Sequence, residues 1–275
     1  EIWSESGVRP SKVVTLKANS SLVQSLDSLD PGAKRIALHI VPRSGRVNAF
    51  LVDERGRGLK SLGGDMVNAS PDPSKEVVIP AIPHMKRSGK ALGHTLRVIA
   101  PGDVDARISV ELISTKGSFV PVGFDDRAIK AGIVTEIALN PQLIPSTFAL
   151  RISSDRPIAA SVYSSTYAQA KSDFVWSTST EEMTEYSLAV SGLAPTLVFS
   201  GERISISLSI LYTNKKEKKF TVTGEGIATF KVPENARTIS FTKVSDKTVG
   251  GALISTQSGY GYLPLIPGSE LTRVL

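Results

Sequence analysis

The sequence predicts an all-β protein built from tandem, immunoglobulin-like β-sandwich units. Two observations support this prediction. Apolar and polar residues alternate with period two in many short runs, and several of these runs recur in the same order further along the chain. Successive side chains of a strand point to opposite faces of a sheet, so this alternation indicates strands with one buried and one exposed face.

Strands are predicted first from the clearest alternating runs. Each run is rich in Ile, Val, Thr or Phe, which strands favour, and Gly-, Pro- or Asp-containing turns separate the runs. The four clearest are Ile36–Ile40, Ile108–Leu112, Phe148–Ile152 and Ile204–Ile210.

Helical patterns are scarce. Leu22, Leu26 and Leu29 have helical spacing and follow two serines that could cap a helix, so a short helix is predicted there. Residues 181–187 form a weaker second helical candidate.

An internal repeat is the more informative pattern, because recurring segments in a fixed order indicate repeated structural units. The matched segments, first copy and then second, are Thr95–Val98 with Thr196–Phe199, Arg107–Leu112 with Arg203–Leu208, Gly132–Thr135 with Gly226–Thr229, and Ser154–Ala160 with Ser245–Gly251.

Both ends of the chain carry partial copies. Near the start, Val13–Leu16, Ile36–Ile40 and Ser44–Ala49 match successive parts of the central unit. Near the end, Tyr262–Pro267 resembles Val77–Pro83, and the segment 271–274 is similar to 96–98. The N-terminal copy is either truncated, which we favour, or completed by the C-terminal strands.

The predicted organisation follows from these matches. Residues 1–75 form a partial β unit with a linker, 76–170 and 171–258 are two sandwich units, and 259–275 begin or complete another unit. About seven short strands per full unit are typical of an immunoglobulin-like sandwich. The alternative is a ring or propeller-like body closed through the termini. Ser-, Thr- and charge-rich residues 164–182 and Gly- and Asp-rich residues 55–75 are interpreted as linkers.

Composition excludes several kinds of site. The net charge is +6, but 32 basic residues are mixed with 26 acidic ones, so we expect no nucleic-acid partner. Without cysteine, disulfides, thiolate metal sites and cysteine nucleophiles are excluded. No apolar stretch has the ~18–20 residues of a membrane helix. The chain starts at Glu1 rather than Met, which suggests trimming or processing.

No catalytic, cofactor or metal site is predicted. The three histidines, His39, His84 and His94, lack the paired spacing of metal ligands. Asp103 and Asp105 form an acidic turn with too few further oxygens for a calcium loop. Neither a nucleophile elbow nor a phosphate-binding loop occurs. The chain is therefore predicted to be non-enzymatic, with an unrecognised hydrolase as the remaining alternative.

Aromatic residues near the predicted unit boundaries are the candidate ligand or interface residues. Large aromatics dominate core and interface burial, so packing between units is the plainer interpretation. A row of exposed rings would instead suit the faces of sugars. The candidates are Trp176, Tyr163, Tyr167 and Tyr262.

The central unit resembles a family of actinobacterial exported β-repeat proteins of unknown function. The similarity lies in Leu96–Gly102, Ala106–Val110, Phe119–Pro121, Ala131–Val134 and Ala149–Ala160. The resemblance implies an envelope-anchored, extracytoplasmic protein and no catalytic residues. We therefore expect a cell-envelope scaffold or protein-interaction module whose partner is another protein or a cell-wall glycan. A carbohydrate-binding module using Trp176 is the alternative.

Overall fold

A computed structural model describes the chain except for residues 46, 48, 56–62, 85, 88–89, 92, 140–145, 169–170, 256–259 and 266–275. The described elements, β1–β21, are all strands, which confirms the all-β prediction. Both helix predictions were wrong. Leu26 accepts two backbone hydrogen bonds in an isolated turn, and residues 181–187 contain a β-bridge followed by the start of a strand.

The first β body surrounds one long strand, β14 (Phe148–Ala168). The first part of β14 pairs with β10 (Ala106–Ser114), and its second part pairs with β9 (Gly93–Ile99). The change of partner occurs around Pro157, whose missing N–H suits a break in a ladder. Further strands are β6 (Ser74–Ile82), β7 (Lys86–Arg87), β8 (Lys90–Ala91), β11 (Gly117–Phe119), β12 (Arg127–Ile129), β13 (Thr135–Leu139) and β15 (Lys171–Thr178).

The folded-over sheet encloses an aliphatic core. Inward-facing residues of the alternating runs, such as Ile108, Val110 and Leu150, are buried there. The alternating pattern therefore correctly predicts which side of each strand faces this core.

The second β body is arranged around β17 (Thr196–Tyr212), a single long strand whose sequence matches in the first body lie on two strands, β9 and β10. The start of β17 pairs with β20 (Val249–Ser255), and its end pairs with β19 (Ala236–Val244). The remaining strands are β16 (Tyr186–Ala189), β18 (Glu217–Lys231) and β21 (Tyr260–Pro264). Its separate core includes Phe199, Leu208 and Phe241.

The N-terminal residues form a small sheet and a hairpin. Strand β1 (Ile2–Ser4) lies between β2 (Gly7–Arg9) and β3 (Ile36–Leu38), and β4 (Phe50–Arg55) pairs with β5 (Gly63–Asn68). Val13–Leu16, matched in the sequence to Gly132–Thr135, lies outside any strand, and Val13 and Val14 are exposed.

The β1–β2 hairpin has the same turn as the β10–β11 hairpin. In each, a serine hydroxyl donates to the carbonyl of a glycine three residues later, from Ser4 to Gly7 (3.5 Å) and from Ser114 to Gly117 (3.1 Å). Both glycines have a positive φ, 108° and 116°. Sequence matching did not identify this correspondence.

The neighbouring strands also correspond in register. In each sheet, an apolar residue on the inner face of a central strand is paired with an apolar residue of the neighbouring strand. These pairs are Ile2–Leu38, Leu112–Leu150 and Leu208–Phe241. The immunoglobulin-like tandem repeat itself stays a prediction.

The predicted unit boundaries fall within paired strands. The boundary at 170/171 separates β14 from β15, and the segment predicted to be a linker, 164–182, contains the ladder between them. Strand β21, from the predicted C-terminal segment, pairs with β20 of the second body. Strands β1 and β21 belong to different sheets, so no strand pairing joins the chain ends within the described ranges.

Candidate functional site

The predicted aromatic residues lie in two different places. Trp176 on β15 is opposite Tyr163 on β14, with ring centroids 5.1 Å apart, and Phe174 is 5.7 Å from Tyr163. The guanidinium of Arg97 lies 4.7 Å from the centre of the Trp176 ring and also bonds Glu136 at 2.7 Å. Since only 6% of Trp176 is exposed, the ring is a packed side chain and offers no open face to a sugar.

Tyr262 lies at the contact between the two bodies. It is 3% exposed, and its hydroxyl donates a 2.8 Å hydrogen bond to the carbonyl of Thr178. Burial raises the pKa of this phenol far above its ordinary value. Tyr167 pairs with Ser172 in the β14–β15 ladder, but its side chain lies outside the described part of the structure.

The contact between the bodies is an apolar junction. It comprises, from the first body, Ala81, Ile113, Ala149 and Val175, and from the second, Val198, Ile227, Leu253 and Tyr262. These residues are not part of the cores of the two bodies. The fit is close at Gly226, where an added Cβ would stand 2.8 Å from Cγ2 of Ile113.

A second apolar junction joins the N-terminal sheet to the first body. Trp3 packs there with Ile99 and Val134, and the N–H of Val134 donates to the carbonyl of Ser4 at 3.1 Å. At Gly132, an added Cβ would stand 2.8 Å from Cγ2 of Val8 and 3.9 Å from Cδ1 of Trp3.

The two junctions use corresponding residues. Trp3 and Ile113 each follow the inward residue of the central strand, Ile2 and Leu112, so both point to the outer face. The facing glycines, Gly132 and Gly226, have φ of +68° and +71°. The match between the segments that contain these glycines was visible in the sequence, but their role at a contact was not. The available signal was the apolar pair Leu112–Ile113, which breaks the alternation and indicates burial on both faces.

A buried histidine–serine pair is the other polar feature of note. His94 Nδ1 lies 2.8 Å from Ser164 Oγ, and the His94 ring meets Phe148 edge-on at 5.3 Å. Burial, with repulsion from His84 as the smaller cause, lowers the pKa of His94 to about 4. A nucleophile and base need this proximity, but Ser164 is fully buried and no carboxylate bonds His94 among the described residues.

The other polar candidates have structural contacts. His39 stacks on Trp3 and lies 2.9 Å from a carboxylate oxygen of Glu1. Asp105 accepts a 2.9 Å hydrogen bond from the N–H of Ala131, which ties its turn to the next segment. Within the described ranges, no three His, Asp or Glu side chains are grouped as a metal site would require.

Asp126 lies at the exposed edge of the first body. Both of its carboxylate oxygens accept hydrogen bonds from Arg107, at 2.5 and 2.6 Å. These bonds lower the pKa of Asp126. Both side chains are exposed, and an exposed ion pair of this kind contributes little to stability.

Comparisons with known proteins give a family and no activity. The model of a family of unknown function, DUF5719, matches residues 1–233. No curated protein matches the chain. The crystal structure of Thermotoga maritima 1070 aligns at 16% identity and a TM-score of 0.33, covering 40% of this chain and 96% of that one.

The described part of the chain contains no helix with the length and hydropathy that crossing a membrane requires.

Proposed function

The chain belongs to the DUF5719 family of unknown function, and from this premise we propose that it is a non-enzymatic scaffold of stacked β units in the cell envelope. The units are tandem sandwiches of one immunoglobulin-like type. The partial N-terminal sheet, the first body and the second body are three successive members of the stack.

The recurrence of one junction is the observation that carries this proposal. Trp3 and Ile113 occupy the same strand position in successive units, and each lies against a glycine of the next unit, Gly132 or Gly226, with nearly equal φ. Two unrelated domains on a linker would have no reason to repeat such a contact. Apolar nearest-neighbour contacts are what stabilise repeat arrays.

The exposure of the N-terminal sheet supports its interpretation as part of a unit. Leu38 and Ile40 are 41% and 53% exposed, whereas their counterparts in the first body, Leu150 and Ile152, are fully buried. Twelve of the large apolar side chains exposed in the described ranges lie before residue 53. These exposed apolar side chains would be buried if further strands of a unit packed against them.

An enzymatic role is not part of this proposal, because the contact between His94 and Ser164 is buried. Export and envelope location rest on the resemblance of the central unit to exported proteins. Fractionation of cells that produce the native protein tests the location, and recovery in the cytoplasm would refute it.

Carbohydrate binding through Trp176 is not part of the proposal, because Arg97 and the neighbouring rings cover the Trp176 ring.

Rigidity of the stack is testable because the chain has no cysteine, so labels go only where one is introduced. Spin labels at Ala128→Cys and Thr223→Cys, both exposed strand residues, report the distance between the bodies. We expect a single distribution as narrow as that of a control pair within the second body, Thr223→Cys with Arg237→Cys. A broad or multiple distribution would contradict the scaffold.

A further inference from the structure

One outer face of the second body carries many hydroxyl groups and none of the junction residues. It is formed by the end of β17, the start of β18, and β19 and β16, and its members alternate with core residues along each strand. They are Ser187, Ser205, Ser207, Ser209, Thr221, Thr223, Thr238, Ser240 and Thr242, together with Lys219, Lys243 and two exposed apolar residues, Ala189 and Leu211.

Serines occupy the stacking positions on this face. Ser209 follows Leu208 as Ile113 follows Leu112, and the residue opposite it in the next strand is Ser240, where the first body has Ala149. In the N-terminal sheet the corresponding residues are Trp3 and Ala37. The position is thus apolar in two units and a serine in the third.

These hydroxyls are bonded to one another and to a carboxylate. The hydroxyls of Ser240 and Ser187 lie 2.8 Å apart. Ser209 is itself only 6% exposed, and its hydroxyl donates to Glu217 of the same body. Lys219, opposite Ser209 in the ladder, is exposed. Stacking another unit here would strip water from Lys219 and Glu217 without providing new partners, and this is unfavourable.

We propose that the second body is a terminal cap: its outer face takes no further unit and stays open to solvent. This inference rests on the proposed function, since a cap presupposes a stack. Repeat arrays need an end unit with a polar outer face to remain soluble. The stack is therefore directional. The units that precede this body have apolar outer faces at the stacking position, and this body has a hydroxyl-rich one.

Cysteine reactivity tests whether the face is open. Thr221→Cys on the cap face and Ile113→Cys in the junction are compared in the folded full chain, with a bulky maleimide. We expect the Thr221→Cys variant to react at least a hundredfold faster. Protection of Thr221→Cys would overturn the cap, because another body would then cover the face. Rapid labelling of Ile113→Cys would instead refute the stack, so the two failures are distinguishable.

Transplanting the serines tests whether they prevent stacking. Ile113→Ser with Ala149→Ser gives the first body the side chains of the cap, and both point away from its core. The spin-label distribution between the bodies should broaden, while Ile113→Val should leave it narrow. If the distribution is narrow in the parent protein and stays narrow in the double serine variant, the cap is overturned while the stack stands.

Discussion

Gly226 gives the sharpest prediction about the junction. In Gly226→Ala the new Cβ meets two penalties: a φ of +71°, which costs an L-residue about 1–2 kcal/mol, and a 2.8 Å approach to Ile113 Cγ2. Overpacking of this kind costs about 1–3 kcal/mol. We therefore expect the free energy of unfolding of the second body to fall by about 2–5 kcal/mol, measured by urea denaturation.

Two controls separate the contact from the backbone. Gly192→Ala has a φ of +78° with nothing within 4 Å of the new Cβ, so it should lose only about 1–2 kcal/mol. Adding Ile113→Ala to Gly226→Ala removes the clash. The double variant should therefore lose less unfolding free energy than the two single variants lose together, by about 1 kcal/mol or more. Equal losses in Gly226→Ala and Gly192→Ala, with no coupling to Ile113, would refute the close junction.

Three further predictions concern burial. Ile152→Ser should destabilise the first body by about 3–5 kcal/mol, whereas Ile40→Ser at the matching exposed position should change stability by less than about 0.5 kcal/mol, both by chemical denaturation. Trp176→Ala should cost about 3–5 kcal/mol in the same assay, and a small loss would mean that the ring is not packed. His94, with a pKa of about 4 when folded and 6.5 when unfolded, binds more protons in the unfolded chain, so stability should fall by about 3 kcal/mol as the pH drops from 6.5 to 4. His94→Gln should lack this part of the pH dependence, and an unchanged slope would contradict a neutral buried imidazole.

Local alternation predicted the cores well because it reports directly which side of a strand is wet. The runs at Ile108–Leu112, Phe148–Ile152 and Ile204–Ile210 all became strands with the expected inward faces. The helix at Leu22–Leu29 failed because three leucines at helical spacing need an apolar partner, and Leu22 is 52% exposed.

Composition was misleading where small polar residues are buried between strands. Residues 164–182 have the Ser and Thr content of a linker, yet Ser164 and Ser177 are fully buried in a β ladder. A short hydroxyl side chain fits a close packing position as readily as it fits solvent, so its environment depends on tertiary neighbours. The candidate aromatic site had the same difficulty, because nothing local distinguishes a covered Trp176 from an exposed one.

The pattern along the central strands nevertheless distinguishes a stacked outer face from an open one. In β17 the alternation of Ile or Leu with Ser from 204 to 210 is unbroken, and serines line the outer face there. At the consecutive apolar residues Leu112–Ile113 and Leu197–Val198, both faces are buried, one in the core of a body and one against the neighbouring body. These two interruptions of the period-two pattern therefore mark where the bodies meet. The pair Ile210–Leu211 at the end of β17 marks no such contact, because Leu211 is 38% exposed.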